Sequence, residues 1–395
     1  MAFLAVYKLG IYMKILSLES CNNHTNLKIN KINFDRFSLL VGASGVGKTQ
    51  ILRSIMNLKN IASGQAISGF SWNVNFDILG DTYNWKGEFE KNSAYSEGMF
   101  PFFFGGFSND KETRAKIIFE QLTKNDKLVI ERRGEVILFN EQLTVKLSPT
   151  ESVINLLRAE EEIEIIANSF SKIDYINPDS QTGYRLTIDD VDADEVKTLA
   201  GIRNSNISIL SKLYLCQEYE KDFFDEMIET YKDIFPFIED IKIQMHQPEL
   251  GKTTTHKIFY ARFKEKGVES WIEQNAMSSG MSKTLTQLAY LHLSSDGAVL
   301  LIDEFENGFG VNCINDITDE LMNSSSIYKT DIQFIMTSHH PYIINNIPID
   351  YWKIISRKAG IVKSYNAKDF NLHDSNHEAF TKLINLSVYA DGANR

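Results

Sequence analysis

The sequence predicts an α/β fold in which a buried strand feeds a glycine loop, an antiparallel β-subdomain follows, and a helical insertion separates the two halves of one head. Three observations predict it. An apolar burst, RFSLLVG at 36–42, runs straight into GASGVGKTQILRSIMNL. From residue 70 onward, short stretches alternate apolar and polar residues with turn residues between them. Towards the end, two further apolar strands, in GAVLLIDEFENGFG (297–310) and DIQFIMTSHHPYIINN (331–346), stop at polar tips.

Composition narrows the class. A chain of 395 residues with 43% hydrophobic and 24% charged residues is globular, with length for two or three domain-sized units. Its 41 basic residues against 52 acidic ones give a net charge of −11. That balance argues against a protein wrapped on nucleic acid over its whole surface, and it leaves a local basic groove open. Cys21, Cys216 and Cys313 are widely spaced and form no C-x-x-C pair, which fits a reducing cytoplasm with neither disulfide scaffold nor zinc ribbon. The opening MAFLAVYKLGIYMKILSL is broken by Lys8 and Lys14 and reads as a first strand, with a dispensable extension if Met13 is the true start. No uncharged run approaches the roughly 18 residues of a membrane span, so no membrane is expected.

In chain order, β-like bursts at 13–20, 25–34 and 36–42 precede the glycine loop. Gly42, Gly47, Lys48 and Thr49 match G-x-x-x-x-G-K-[ST] in the required context of strand, loop and helix. Glycines let the backbone curl so that the amides from Gly45 to Thr49 face one anion, and the positive end of the next helix adds to that site. Lys48 then reaches the β- and γ-phosphates and the Thr49 hydroxyl takes one position on Mg²⁺. The competing reading is a glycine-rich turn with an exposed lysine. Next come the strands FSWNVNFDIL, YNWKGEFEK, KLVIERRGEVILFN and QLTVKLS, with RRGEV as a turn. GMFPFFFGGF at 98–107 is either buried packing or a docking patch.

From 150 to 240 the pattern is helical, in ESVINLLRAEEEIEIIANSF and SNISILSKLYLCQEYEKDFFDEMIETYKDIF, closed by Pro236. Asp190, Asp192 and Asp194 have the spacing of a calcium loop, but Glu195 and Gly201 stand where that loop needs glycine and glutamate, so a solvated acidic turn is expected. The chain is thus divided into 1–148, a helical insertion at 149–240, and 241–395.

In the last third, NAMSSGMSKTLTQLAYLHL places Ser278 and Ser279 before a helix expected to begin near Ser282. Either serine serves as an ordinary N-cap. The strand before Asp303 and Glu304 ends in adjacent carboxylates, a costly pairing unless a cation or water needs them. Asp303 would hold Mg²⁺, directly or through water, and Glu304 would orient or deprotonate a water. His339 falls where a side chain senses a γ-phosphate, whereas His340 reads as a capping or packing residue.

The order of Gly-Lys-Thr loop, Ser-Ser-Gly turn, Asp-Glu strand and strand-tip histidine resembles the ATPase heads of the ABC superfamily, over about 13–60 and 270–345. The resemblance makes Gly42, Ala43, Ser44, Gly45, Val46, Gly47, Lys48 and Thr49, with Gln50 beside them, the Walker A loop. It makes Met277–Met281 the signature, Asp303 and Glu304 the end of Walker B, and His339 the switch histidine. Met277, Ser279 and Met281 depart from Leu-Ser-Gly-Gly-Gln, a version similar to the branch containing the RecF, SMC and OLD heads. Gln142 is the candidate for the family's Q-loop. The motif sentences and layout also resemble stand-alone ATPases of bacterial anti-phage systems such as PARIS or Septu.

The resemblance implies ATP and Mg²⁺ as cofactors, with Lys48, Glu304 and His339 as catalytic residues. Ser278, Ser279 and Gly280 would cap the ATP of a second subunit, giving a homodimer or higher homo-oligomer through an ATP sandwich. A transporter is disfavoured by the large insertion, and an OLD-type nuclease by the short tail after His339. What remains is a nucleotide-switched sensor or scaffold controlling a separate TOPRIM-like or HNH-like nuclease, with a RecF/SMC-like genome-maintenance ATPase as the alternative and DNA as a further candidate partner.

Overall fold

A computed structural model describes residues 12–92, 114–176, 194–205, 207–246, 257–307, 314–316, 318–319, 332–372 and 375–386. The GMFPFFFGGF stretch, Asp190, Asp192 and Cys313 lie outside these residues, and so does the extension before Met13 apart from Tyr12. Two compact units are formed, one from 1–175, 297–303 and 333–395, the other from 176–296 and 304–332.

The first unit opens with β1 (Met13–Asn22), β2 (Leu27–Asn33), β3 (Phe37–Val41) and α1 (Lys48–Ala62). It continues with β4 (Phe70–Ile78), β5 (Asp81–Phe89), β6 (Ile117–Lys124), β7 (Lys127–Arg133), β8 (Val136–Phe139), β9 (Gln142–Leu143), α2 (Val153–Leu156), α3 (Glu161–Ser171) and β10 (Ile173–Ile176). The second unit supplies α4 (Leu199–Asn204), α5 (Ile209–Tyr219), α6 (Lys221–Ile234), β11 (Ile238–His246), β12 (Ile258–Glu265), β13 (Ile272–Glu273) and α7 (Ser279–Leu293). Returning to the first unit, the chain forms β14 (Val299–Ile302), β15 (Gln333–Thr337), α8 (Pro341–Asn346), β16 (Trp352–Lys358), β17 (Ile361–Asn366) and α9 (Asn376–Ile384).

One 14-stranded sheet carries the first unit, in the order β10-β14-β15-β3-β16-β17-β2-β1-β4-β5-β6-β7-β8-β9. Its β14-β15-β3-β16 part is parallel, and all residues of β14, β15 and β3 are buried, as expected for strands covered on both faces. The β4–β9 part is an antiparallel meander. In β4 every second residue is buried, from Phe70 through Trp72, Val74 and Phe76 to Ile78, which fixes the face turned to the core. There Trp85 and Phe76 each meet Phe170 of α3 with ring centroids 5.2 Å apart, an edge-to-face contact that adds to the burial of the rings. The RRGEV turn closes the β7–β8 hairpin, with Gly134 at φ +58°.

The second unit packs α5–α7 with the three-stranded sheet β11-β12-β13. The buried face of α6 presents Phe224, Met227, Ile228 and Tyr231 at helical spacing, and the Tyr231 hydroxyl donates to the Met281 carbonyl of α7 at 3.1 Å. Asp194 begins a short 3₁₀ turn, Asp194–Lys197. Among the described residues no helix is long and apolar enough to cross a membrane.

Two expectations are corrected. Gln142 sits on β9, the strand at the far end of the sheet order from β10 and β14, so it does not flank the acidic strand. Helix α7 begins at Ser279, not near Ser282, because Ser278 caps it.

Candidate phosphate and metal site

The parallel strands β14, β15 and β3 are neighbours, and their C-terminal ends carry Asp303, His339 and the glycine loop respectively. Register aligns the three ends: Ile302 pairs with Met336, and Thr337 pairs with Leu40. Ligands of open α/β sheets bind outside such strand ends.

Within the loop, Gly45 has φ +82° and Gly47 φ +104°, conformations that side chains rarely adopt. A Cβ at Gly42 would stand 2.5 Å from the Ile355 carbonyl oxygen of β16, so a neighbouring strand as well as a ligand requires glycine here. Ala43 and Val46 are buried in the core, while Ser44 and Gly45 form the exposed tip. Helix α1 starts on Gly47 with no side-chain cap and no acidic residue in its first turn, which leaves the positive end of the helix to an anion. Gln50 lies half-buried in that turn. The buried Lys48 ammonium donates to the carbonyls of Gly42 at 2.6 Å and Ala43 at 3.0 Å, held across the loop.

Asp303, 6% exposed, converges on the same helix. Its Oδ1 accepts from the hydroxyls of Thr49 at 3.2 Å and Thr337 at 2.7 Å, and its Oδ2 accepts from the Tyr175 hydroxyl at 2.9 Å. Burial first, and the adjacent Asp303 second, push the Tyr175 phenol up from its ordinary value, opposed by the positive charge of Arg53. A buried carboxylate held by three neutral hydroxyls offers oxygen ligands of the kind hard divalent cations use. Among the described residues no cluster of three His, Cys, Asp or Glu side chains forms a metal cage. Mg²⁺ needs none, since it keeps waters and phosphate oxygens and takes only one or two protein groups. Thr49 and Asp303 therefore fit it.

His339 is exposed just past β15. His340 caps α8, its Nδ1 accepting from the Tyr342 amide at 3.3 Å, as the sequence suggested. In the second unit, Glu304 has a left-handed backbone at φ +45°, and its carboxylate accepts from the Asn307 side chain at 3.3 Å. Ser278 and Ser279 are exposed, and Gly280 follows them in the first turn of α7. The Ser278 hydroxyl accepts from the Met281 amide at 3.2 Å, and the first turn of α7 contains no acid.

Residues 37–345 match the sequence profile of a family described as "AAA domain, putative AbiEii toxin, Type IV TA system". The chain belongs to this family. Its fold is that of an AAA domain, a P-loop nucleotide-binding fold. No curated protein matches it. Among solved structures it is similar to an SMC head bound to the C-winged helix domain of ScpA, at 14% identity and TM-score 0.47, covering 90% of this chain and 98% of that one. A Pyrococcus furiosus SMC head with an extended coiled coil, bound to the C-terminal domain of ScpA, gives 14% identity and TM-score 0.46 over 91% and 98% of the two chains. The Thermotoga maritima SMC head domain gives 9% and 0.41 over 89% and 98%.

In this AAA-family head, sequence reasoning missed Tyr175, Thr337 and the carbonyl of Ile355. Tyr175 lies 128 residues from Asp303 in a plain IDYI run that carries no motif. Only the strand order, which sets β10 beside β14, brings it to the carboxylate.

Proposed function

We propose that this chain is an ATP-hydrolysing, nucleotide-switched sensor or scaffold in bacterial anti-phage defence, controlling a separate effector such as a nuclease. The observation that carries the ATPase part is the convergence of Lys48, Thr49 and Asp303, with the Thr49 hydroxyl 3.2 Å from the Asp303 carboxylate at the head of an uncapped helix. The family's description, which refers to a toxin of a type IV toxin–antitoxin system, supports a role in defence.

Each residue has a part. The loop amides and the Lys48 ammonium bind the phosphate oxygens of ATP, and Lys48 exchanges its loop carbonyls for them. Thr49 and Asp303 would hold Mg²⁺, which neutralises phosphate charge when bound. Glu304 accepts a proton from the attacking water, and His339 hydrogen-bonds the γ-phosphate. Ser278, Ser279 and Gly280 serve a second copy of the chain, with the N-terminus of α7 directed at that copy's γ-phosphate, and two-fold pairing makes two equal sites.

Phosphate release by the purified chain with Mg²⁺ and ATP tests the enzyme. Deleting the adjacent gene tests the scaffold: loss of protection or toxicity is expected, and an intact phenotype overturns effector control. Replication or repair genes as neighbours would favour the genome-maintenance reading instead.

A further inference from the structure

The carboxylate of Asp303 is pinned at both oxygens. Thr337 and Thr49 donate to Oδ1, while Tyr175 donates to Oδ2. Tyr175 is itself half-buried and packed against the hydrophobic core. Helix α1 thus grips the carboxylate through Thr49, and β10 grips it through the phenol.

This arrangement bears on which cation the site accepts. Mg²⁺ demands near-octahedral geometry with short bonds to single carboxylate oxygens, whereas Ca²⁺ is larger and readily takes both oxygens of one carboxylate. Oδ1 lies next to Thr49, the other expected metal ligand. Oδ2 faces the phenol on the strand beyond. We propose that Tyr175 is a positioning residue that restricts Asp303 to one-oxygen contact with the cation, and thereby selects Mg²⁺ over larger divalent ions. The proposal rests on the reading of this site as a Mg²⁺–nucleotide site. Tyr175 touches neither nucleotide nor metal in this account; it acts by occupying Oδ2 and fixing the carboxylate plane.

The test is binding of a fluorescent ATP analogue to the full chain, followed by anisotropy against free Mg²⁺ and, separately, free Ca²⁺. In the parent protein half-saturation occurs at lower Mg²⁺ than Ca²⁺. Tyr175→Phe, which keeps the ring and removes the donor, should raise the half-saturating Mg²⁺ about tenfold, the usual effect of losing an outer-shell partner, while Ca²⁺ is unchanged or binds better. Thr337→Val removes a donor from the other oxygen, and should weaken both ions while keeping their ratio. An unchanged Mg²⁺/Ca²⁺ ratio in Tyr175→Phe, whether both affinities hold or both fall together, overturns the proposal, because a purely structural role weakens both ions alike. Collapse of the ratio in Thr337→Val as well would also overturn it. A parent protein whose nucleotide affinity ignores divalent ions sinks the Mg²⁺–nucleotide reading itself, a result distinct from any behaviour of Tyr175.

Discussion

The glycine loop of the first unit and the Ser278 turn of the second both place small residues at a helix N-terminus without acids, yet they use their side chains differently. Lys48 folds over the loop carbonyls, and Thr49 reaches Asp303, 254 residues away in sequence. Ser278 instead turns its oxygen inward to the amide of Met281, three residues on. A helix that requires only a start is satisfied by the second arrangement. The first brings together groups that serve no helix, which is the physical mark of a site. The comparison teaches that the phosphate loop gathers its partners within one unit, whereas any role of Ser278 beyond capping has to be found in something that meets its exposed surface.

The contrast is broken most severely at Lys48. Lys48→Ala should weaken ATP binding about 100-fold or more and abolish turnover, seen by analogue anisotropy and phosphate release. Undiminished hydrolysis would end the phosphate-loop assignment. Glu304→Gln keeps the shape and removes the base, so ATP should still bind, hydrolysis should fall about 100-fold, and a nucleotide-bound assembly should accumulate in size-exclusion runs. Normal turnover would move the base elsewhere.

A smaller and more selective effect is expected at the turn. Ser278→Arg should leave ATP binding by a single subunit nearly intact while preventing nucleotide-dependent pairing. Mixed with Lys48→Ala, it forms a hybrid pair in which both lesions fall in one composite site, and partial hydrolysis should return. Hybrid pairs that form without any activity would count against independent action in trans. Smallest of all is Ser278→Ala, which loses the cap and about 1 kcal/mol of stability, measurable by denaturant titration. If hydrolysis falls no further than this loss of folded protein explains, the hydroxyl serves the helix and the backbone amides serve the partner.

Much of this was legible because the signals were local. The loop, its strand and its helix occupy adjacent residues, and the β4, β5, β7 and β8 strands follow alternations that can be read in short windows. The RRGEV turn and the break at Pro236 were equally local. Tyr175 and Thr337 were not legible, since a phenol in one strand and a hydroxyl in another acquire meaning only when strand order sets β10 and β15 on either side of β14. Gln142 misled for the complementary reason: a glutamine before a strand looked like a coupling residue until the sheet order sent it to the opposite edge. The helix start at Ser279 turned on a single side-chain bond, finer than apolar periodicity can place.

The central strand β3 has a history in synthesis. Both of its hydrogen-bonded neighbours, β15 and β16, come from residues 333–358, far from it in sequence. Gln333 ties that segment to β1, its side chain pairing with both the amide and the carbonyl of Ile15 at 2.8 Å across 318 positions. As the polypeptide leaves the ribosome, the glycine loop emerges long before the partners of its strand. Contacts of such separation close slowly, and an incomplete chain exposes both bare edges of β3. A nucleotide-binding head built this way gains its cradle only once residues 333–358 have joined it, so fragments that stop short of them would be inert and prone to aggregation instead of competing for ATP.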